Sequence, residues 1–194
     1  MPDKPAKSRK GEQTRAEIVA CAKELFYQRG YGGTSFSDIV DAAGVYRGNI
    51  YHYFKTKDEI LEAVVAQRVQ EFRALQEGWD QQCPDPKERL MRFVEMIAER
   101  EDDLVRFGCP IGTINTELGK ARRDLQGSAK ALFDLFRDWL ATQFVTLGRE
   151  AEAQSLALHL LGRAQGISLI AHVYQDAAVL QREVATLRKW VQAL

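Results

Sequence analysis

Through nearly all of the 194 residues, apolar side chains recur at intervals of three and four and never alternate in and out over a run. That spacing belongs to amphipathic helices, whereas half-buried strands need a period of two. An all-α chain is therefore expected. Ile18, Ala22, Leu25 and Phe26 share one face of a first helix, which Arg29 and Gly30 close as a basic last turn and C-cap glycine. After "GYGGT", Ser35 with Asp38 three residues on has the form of a capping box. It opens a second helix that turns Phe36, Ile39, Val40 and Ala43 inward and stops at Gly44. A third runs from Val45 through about Phe54, with Ile50 and Phe54 one turn apart. Thr56 can cap a long fourth helix, where Asp58 and Glu59 suit the positive end of the helix dipole. Its apolar positions Ile60, Leu61, Val64, Val65 and Val69 lead toward Trp79. "QQCPDPKE" is the clearest break, with Asp85 available as a cap. Beyond it the spacing predicts helices at about 86–103, 110–120, 122–147, 150–174 and 177–193.

Composition narrows the class. Hydrophobic residues make up 45% of the chain and charged residues 28%, enough for a core inside a soluble protein. No uninterrupted apolar run approaches the roughly 20 residues of a membrane span. The start "MPDKPAKSRKGEQ" is polar and basic, without the apolar stretch of a secretory signal. Cys21, Cys83 and Cys109 are too few and too scattered for a disulfide framework or a zinc cluster, so a reducing cytoplasm is expected. No metal, phosphate-binding or cofactor motif occurs in the sequence, and neither metal nor cofactor is expected. Net charge is zero, but residues 1–60 hold ten Lys/Arg against eight Asp/Glu. Four of those cations fall within the first ten residues, suggesting a flexible basic tail over 1–11.

Two short helices joined by a tight glycine turn form the pattern of a helix-turn-helix, whose second helix enters the DNA major groove. With Ile50 at the centre of the buried face, Gly48 and His52 lie opposite. Arg47 and Tyr51 fall on one flank, and Asn49 and Tyr53 on the other. Arg47 can pair with guanine edges and Asn49 with adenine, while Gly48 lets the helix backbone approach DNA closely. Hydroxyls of Thr34, Ser35 and Tyr51 can bond phosphates, and Lys57 at the next helix N-terminus can do the same. The competing reading is a small bundle whose aromatics fill its interior. A mid-helix glycine, costing roughly 1 kcal/mol relative to alanine, weighs against it.

The run "TSFSDIVDAAGVYRGNIYHYFKTKDEIL" resembles the N-terminal DNA-binding domain of the TetR family of bacterial transcriptional regulators, over about residues 12–60. The resemblance implies a DNA-binding head over 12–58 and a helical effector-binding and dimerisation part over 59–194. It also implies a homodimer on a palindromic double-stranded operator, with contacts at Thr34, Ser35, Arg47, Gly48, Asn49, Tyr51, His52, Tyr53 and Lys57. One position departs from the family pattern. Tyr46 stands where Ser or Thr usually caps the recognition helix, and a tyrosine has no short oxygen to cap with. Tyr46 can instead stack on sugar-phosphate or meet a thymine methyl.

In the last helix Leu180, Val184, Leu187, Val191 and Leu194 repeat with 4-3-4-3 spacing, a seam suited to a partner helix or to packing within one subunit. The preceding "AQSLALHLLGRAQGISLIAHVY" is apolar nearly all round and so is expected to be covered on more than one face. Leu158, Leu161 and Gln165 of this helix, with Leu180, Val184, Leu187 and Val191, are the expected dimer contacts. An effector pocket is expected from Phe93, Met96, Phe136 and Trp139, with Ile97, Phe133 and Phe144 as further candidates. Its polar lining would come from Cys109, Asn115, Glu117, His159 and Arg163, with Gln165 and His172 as alternatives. Pro110 suits the first position of a helix, which places Cys109 at its N-cap, where the dipole favours thiolate. Cys21 is expected in the core and Cys83 in an exposed loop.

Three functions compete. The first is a repressor released from its operator by a small molecule. The second is the same fold sensing electrophiles or oxidants through Cys109, or a cysteine enzyme using Cys109 with His159 or His172. The third is an architectural DNA-binding protein that senses nothing. No third residue orients a Cys–His pair in the sequence, so no enzyme is expected.

Overall fold

The computed structural model describes the backbone of residues 6–194 and side chains from residue 10 onward. Among the described residues every regular element is helical. The order is α1 (Ala6–Arg29), α2 (Phe36–Ala42), α3 (Arg47–Ile50), α4 (Lys57–Gln82), α5 (Pro86–Ala98), α6 (Glu101–Phe107), α7 (Pro110–Ala121), α8 (Arg123–Thr146), α9 (Ala153–Tyr174) and α10 (Ala177–Gln192), with one 3-10 turn at Glu150–Glu152. Of the basic tail expected over 1–11, residues 6–11 belong to α1. Residues 1–5 lie outside the described residues.

Local chemistry sets most boundaries. Gly30 ends α1 with φ +76, a left-handed conformation that costs glycine little. Ser35 and Asp38 form the full capping box: Asp38 N–H donates to Ser35 Oγ at 3.1 Å, and Ser35 N–H to Asp38 Oδ2 at 2.7 Å. Thr56 caps α4, and Asp85 with Pro86 opens α5, as expected. Cys109 is the N-cap of α7, with Pro110 next and Gly112 N–H donating to Sγ at 3.4 Å.

Two helix spans differ from expectation. The third helix has only four α-helical residues and ends where Tyr51 flattens to φ −64, ψ −12. The chain continues to Phe54 through tighter bonds, His52 N–H to Asn49 O and Tyr53 N–H to Ile50 O. The expected 86–103 helix is two helices, since α5 ends at Ala98. Arg100 leaves helical geometry at φ −111, ψ 23, and Glu101, Asp102 and Asp103 then charge the first turn of α6.

The head packs Ile18, Ala22, Ile39, Val40, Ile50 and Phe54 into a small core, and α4 carries its buried face from there into the body, interrupted by Arg68 and Gln76. The domain boundary drawn at 58/59 therefore falls in the first turn of α4. In the body, Phe136 meets Phe72 at 4.8 Å and Phe93 at 5.6 Å between ring centroids. The α10 seam is covered within its own subunit: Leu180, Val184 and Val191 are 0% exposed, and Leu187 is buried with them. Arg188 of α10 holds Glu95 of α5 at 2.5 Å. Heptad spacing tells that a face is buried, not which chain buries it. Cys83 is buried rather than exposed, and Cys21 is only half-buried, with its thiol 3.6 Å from Ala42 O.

Glu150–Tyr174 is long and apolar enough to cross a membrane by length and composition, although Gln154, Ser155, His159, Arg163 and Gln165 interrupt it. One face is buried through Ala157, Leu160, Ala164 and Ile167. The other exposes Leu158, Leu169, Ile170, Val173 and Tyr174.

Candidate DNA interface and effector cavity

The outward side of α3 is built as the residue pattern predicts. Ile50 is 0% exposed, while Arg47, Gly48, Asn49 and His52 all lie on the surface. Tyr51 is half-exposed and stacks on Phe36 of α2, with ring centroids 5.5 Å apart, which steadies its hydroxyl at the rim. Tyr53 is half-buried against the head core. Tyr46 is 78% exposed, and its ring lies over Gly48: a Cβ there would stand 3.0 Å from Tyr46 Cε1. With Asn49 and Tyr53, Tyr46 lines a shallow groove shared with Lys10 and Thr14 of α1.

Two expected phosphate contacts have other work. Thr34 is buried, and its hydroxyl donates to Gly30 O at 2.8 Å, locking the loop after α1. The Lys57 ammonium donates to Tyr31 O at 2.8 Å and Thr34 O at 2.9 Å and sits 3.9 Å above the Tyr31 ring. Burial pushes its pKa below the usual lysine value. Ser35 is exposed, but its hydroxyl accepts the α2 cap bond. Two exposed cations beside this face, Lys10 and Lys55, extend the expected set. Lys10 reaches it from α1 along the groove with Tyr46 and Asn49, while the Lys55 ammonium donates to Tyr51 O.

The head is clasped by α7 and its junction with α8. Glu117 accepts from the backbone N–H of Tyr31 at 2.8 Å and also from that of Gly32. Arg122 forks onto both oxygens of Asp58, at 3.2 and 2.7 Å, and the Tyr31 hydroxyl bonds the same carboxylate. The Arg122 bonds, then that of Tyr31, hold the Asp58 carboxyl below its ordinary pKa. On the other side of α1, the one hydroxyl proton of buried Tyr27 is shared between Asp103 O at 3.0 Å and Gly108 O at 2.9 Å, and burial pushes its pKa up to about 12. Glu117, expected in the pocket, is thus a head contact.

A cavity of about 50 Å³ lies among α4, α5, α6, α7, α8 and α9. Phe93, Met96, Cys109 and Phe136 of the expected set line it, as do Ile97 and Phe133. Gln165 and Leu161, expected at a dimer interface, line it as well, and Gln165 Nε2 donates to Cys109 Sγ at 3.4 Å. Cys109, Phe133 and Gln165 also wall a larger surface cleft that reaches Glu117 and Lys120, so they stand between cavity and solvent.

The other expected pocket residues lie elsewhere. Asn115 is buried with its amide on Ile111 O and Ala129 O and faces only the outer cleft. Trp139 donates to Asp80 and packs on Trp79. Phe144 is core beside Trp190. Exposed His159 also packs on Trp190, and exposed Arg163 pairs with Glu183 at 2.6 Å. These positions sit on the wrong side of helices whose apolar spacing alone could not say which face meets the void. His172 lies 3.0 Å from Val105 O, and among the described residues no hydrogen bond joins either histidine to Cys109.

Residues 18–64 match the family model "Bacterial regulatory proteins, tetR family", and residues 86–186 match "Transcriptional regulator LmrA/YxaF-like, C-terminal domain". An uncharacterised HTH-type transcriptional regulator from the lacX 3′ region of Lactococcus lactis subsp. lactis is 28% identical over 179 residues, 90% of this chain and 91% of its own. The HTH-type transcriptional regulator TtgR of Pseudomonas putida is 43% identical, but over 54 residues, 28% of this chain and 26% of its own. A crystal structure of a TetR transcriptional regulator from Chloroflexus aurantiacus superposes with a TM-score of 0.83 at 26% identity, covering 95% of this chain and 96% of that one.

Proposed function

The chain belongs to the tetR family of bacterial regulatory proteins, and on that premise we propose that it represses transcription as a two-fold dimer released from its operator by a small molecule. The observation that carries this reading is the division of labour around α3. Val45, Ile50 and Phe54 face the head core, while Arg47, Gly48, Asn49, Tyr51 and His52 face out with two further cations beside them. Arg47 and Asn49 are the base-reading groups, and Ser35, Tyr51, Lys10 and Lys55 position the phosphates.

Dimerisation is assigned to the exposed face of α9, not to the α10 seam. Leu158, Leu169, Ile170, Val173 and Tyr174 are each between 46% and 72% exposed on one chain. Gly162 and Gly166 lie among them with open space above, which lets a second helix come close. A two-fold pair would set the two α3 helices about 34 Å apart, one turn of DNA.

Helix α7 links the two halves. Its N-terminal residues Cys109, Pro110 and Ile111 wall the cavity, and Glu117 near its other end holds the head loop. A ligand that fits better when α7 is displaced favours the head geometry that does not match DNA, and release follows from that difference in affinity. The test is a gel-shift titration with Arg47→Ala. Affinity should fall at least about fivefold, a bidentate guanine contact being worth roughly 1–3 kcal/mol, with an unchanged melting temperature. Equal affinity would remove α3 as the reading helix.

A further inference from the structure

Tyr46 holds the N-cap position of α3 and leaves it without a side-chain cap. The backbone is not the obstacle. At φ −59, ψ 129 it lies close to Asp85, at φ −78, ψ 122, and to Cys109, at φ −72, ψ 123, both of which cap their helices through the side chain. A serine or threonine at 46 would have the short oxygen to do the same, and tyrosine forgoes that stabilisation. Nor does the ring add to the core. Tyr46 is the most exposed large apolar side chain among the described residues, and the next three, Tyr174, Val173 and Leu169, all belong to α9.

The ring nevertheless has a defined place. It lies over Gly48, where the missing side chain leaves it room. Gly48 points nearly opposite to buried Ile50, so the ring rests on the side of α3 that leads into the DNA groove. Asn49 borders the same shallow groove, and Lys10 and Thr14 border it from α1. A side chain that forgoes a cap, buries nothing in the free protein and lies on the reading face has its use on DNA.

Two partners are open to it there, the sugar-phosphate and a base edge. Phosphates are bonded by cations, hydroxyls and backbone N–H groups, and an aromatic ring face supplies none of these. The first residues of a recognition helix are the ones that reach base edges. In the major groove the apolar group on those edges is the C5-methyl of thymine.

We propose that Tyr46 is a specificity-determining residue of the DNA interface, its ring packing on the methyl group of a thymine near the guanine read by Arg47. The chain then prefers thymine at one fixed position of each half-site. The assignment rests on the reading of α3 as the recognition helix, and adds a third base contact to those of Arg47 and Asn49.

Tyr46→Phe and Tyr46→Thr separate the ring from the hydroxyl and from the cap. Random-sequence duplexes are selected with the full-length wild type and with each variant. Wild type and Tyr46→Phe should enrich the same thymine in each half-site. Tyr46→Thr should lose that thymine and keep the guanine, while its melting temperature rises by about 2–4 °C as a cap forms. In the duplex that the wild type selects, deoxyuridine in place of the thymine in one half-site removes only the methyl group. Wild type and Tyr46→Phe should then bind about fourfold more weakly, the worth of one buried methyl group. Tyr46→Thr should change by less than about twofold. The deoxyuridine result on the wild type needs no variant, so it decides even if Tyr46→Thr does not fold. Selected half-sites with no fixed thymine, a wild type indifferent to deoxyuridine, or a thymine preference that survives in Tyr46→Thr or is lost in Tyr46→Phe would overturn the proposal. So would a loss in Tyr46→Thr that is uniform over all sequences, as a sugar-phosphate contact would give. None of those results touches α3 as the reading helix, which falls instead if Arg47→Ala keeps the wild-type guanine.

Discussion

Gly48 offers an uncommon separation of stability from function. It sits at the second position of α3, and its φ is not in the left-handed region, so alanine can adopt its backbone without strain. The added Cβ would come within 3.0 Å of Tyr46 Cε1 and 3.4 Å of Cδ1. Both atoms belong to the free end of a ring that is 78% exposed and makes no capping bond, so the ring can swing aside. Alanine relieves a glycine penalty of about 0.5–1 kcal/mol within a helix, and in a first turn the lower figure applies. Gly48→Ala should therefore raise the melting temperature by about 1–2 °C for a chain of this size. Operator binding should move the other way. The methyl group and the displaced Tyr46 ring occupy the space through which the α3 backbone approaches DNA, and a loss of about tenfold or more, roughly 1.4 kcal/mol, is expected. Differential scanning fluorimetry reads the first effect and fluorescence anisotropy on operator duplex the second. Unchanged affinity in a protein of equal or greater stability would refute the claim that Gly48 is there for close approach.

Other perturbations test the joints of the account. Glu117→Ala removes two charged bonds to the Tyr31 and Gly32 N–H groups, which should lower stability by about 1–3 kcal/mol and shrink ligand-induced release; full release in a folded variant would remove α7 as the link. Asp58, with its folded pKa depressed by Arg122 and Tyr31, contributes stability that is present above its ordinary value of 3.8 and lost as pH falls through the folded value. The melting-temperature gap between wild type and Asp58→Asn should accordingly hold from neutral pH down to about 5 and close below 3.8; a gap that persists in stronger acid would contradict the pairing. Leu169→Asp with Val173→Asp should convert the dimer to monomer in sedimentation and lose palindrome binding, whereas a variant that stays dimeric would place the interface elsewhere.

What the sequence could and could not tell follows the range of each interaction. The Ser35–Asp38 box, the Asp85–Pro86 start and the Cys109–Pro110 cap close within three residues, so their composition alone foretold them. The outward face of α3 was equally legible, because Ile50 and Phe54 fix its rotation. The internal bonds of Thr34 and Lys57 were not legible, for the opposite reason. Their partners, Gly30 O for Thr34 and Tyr31 O and Thr34 O for Lys57, become neighbours only when the loop folds back. Leu180, Val184, Leu187 and Val191 announced a buried seam, but α5 and α9 of the same chain cover it. Of the residues expected at a pocket, Phe93, Met96, Cys109 and Phe136 line the cavity, while Trp139, His159 and Arg163 sit on other faces. The burial of Arg68 was not legible either, because an arginine four residues before a phenylalanine on a long helix reads as surface.

The central claim is that two copies of the α3 face read DNA together. Selection from random-sequence duplexes, followed by sequencing of the bound fraction, tests it whatever the operator sequence is. The wild-type protein should enrich a palindrome of two half-sites about one helical turn apart, centre to centre, with a guanine in each half whose preference disappears in Arg47→Ala. Enrichment of no common sequence, or of the same motif by both proteins, would contradict the account.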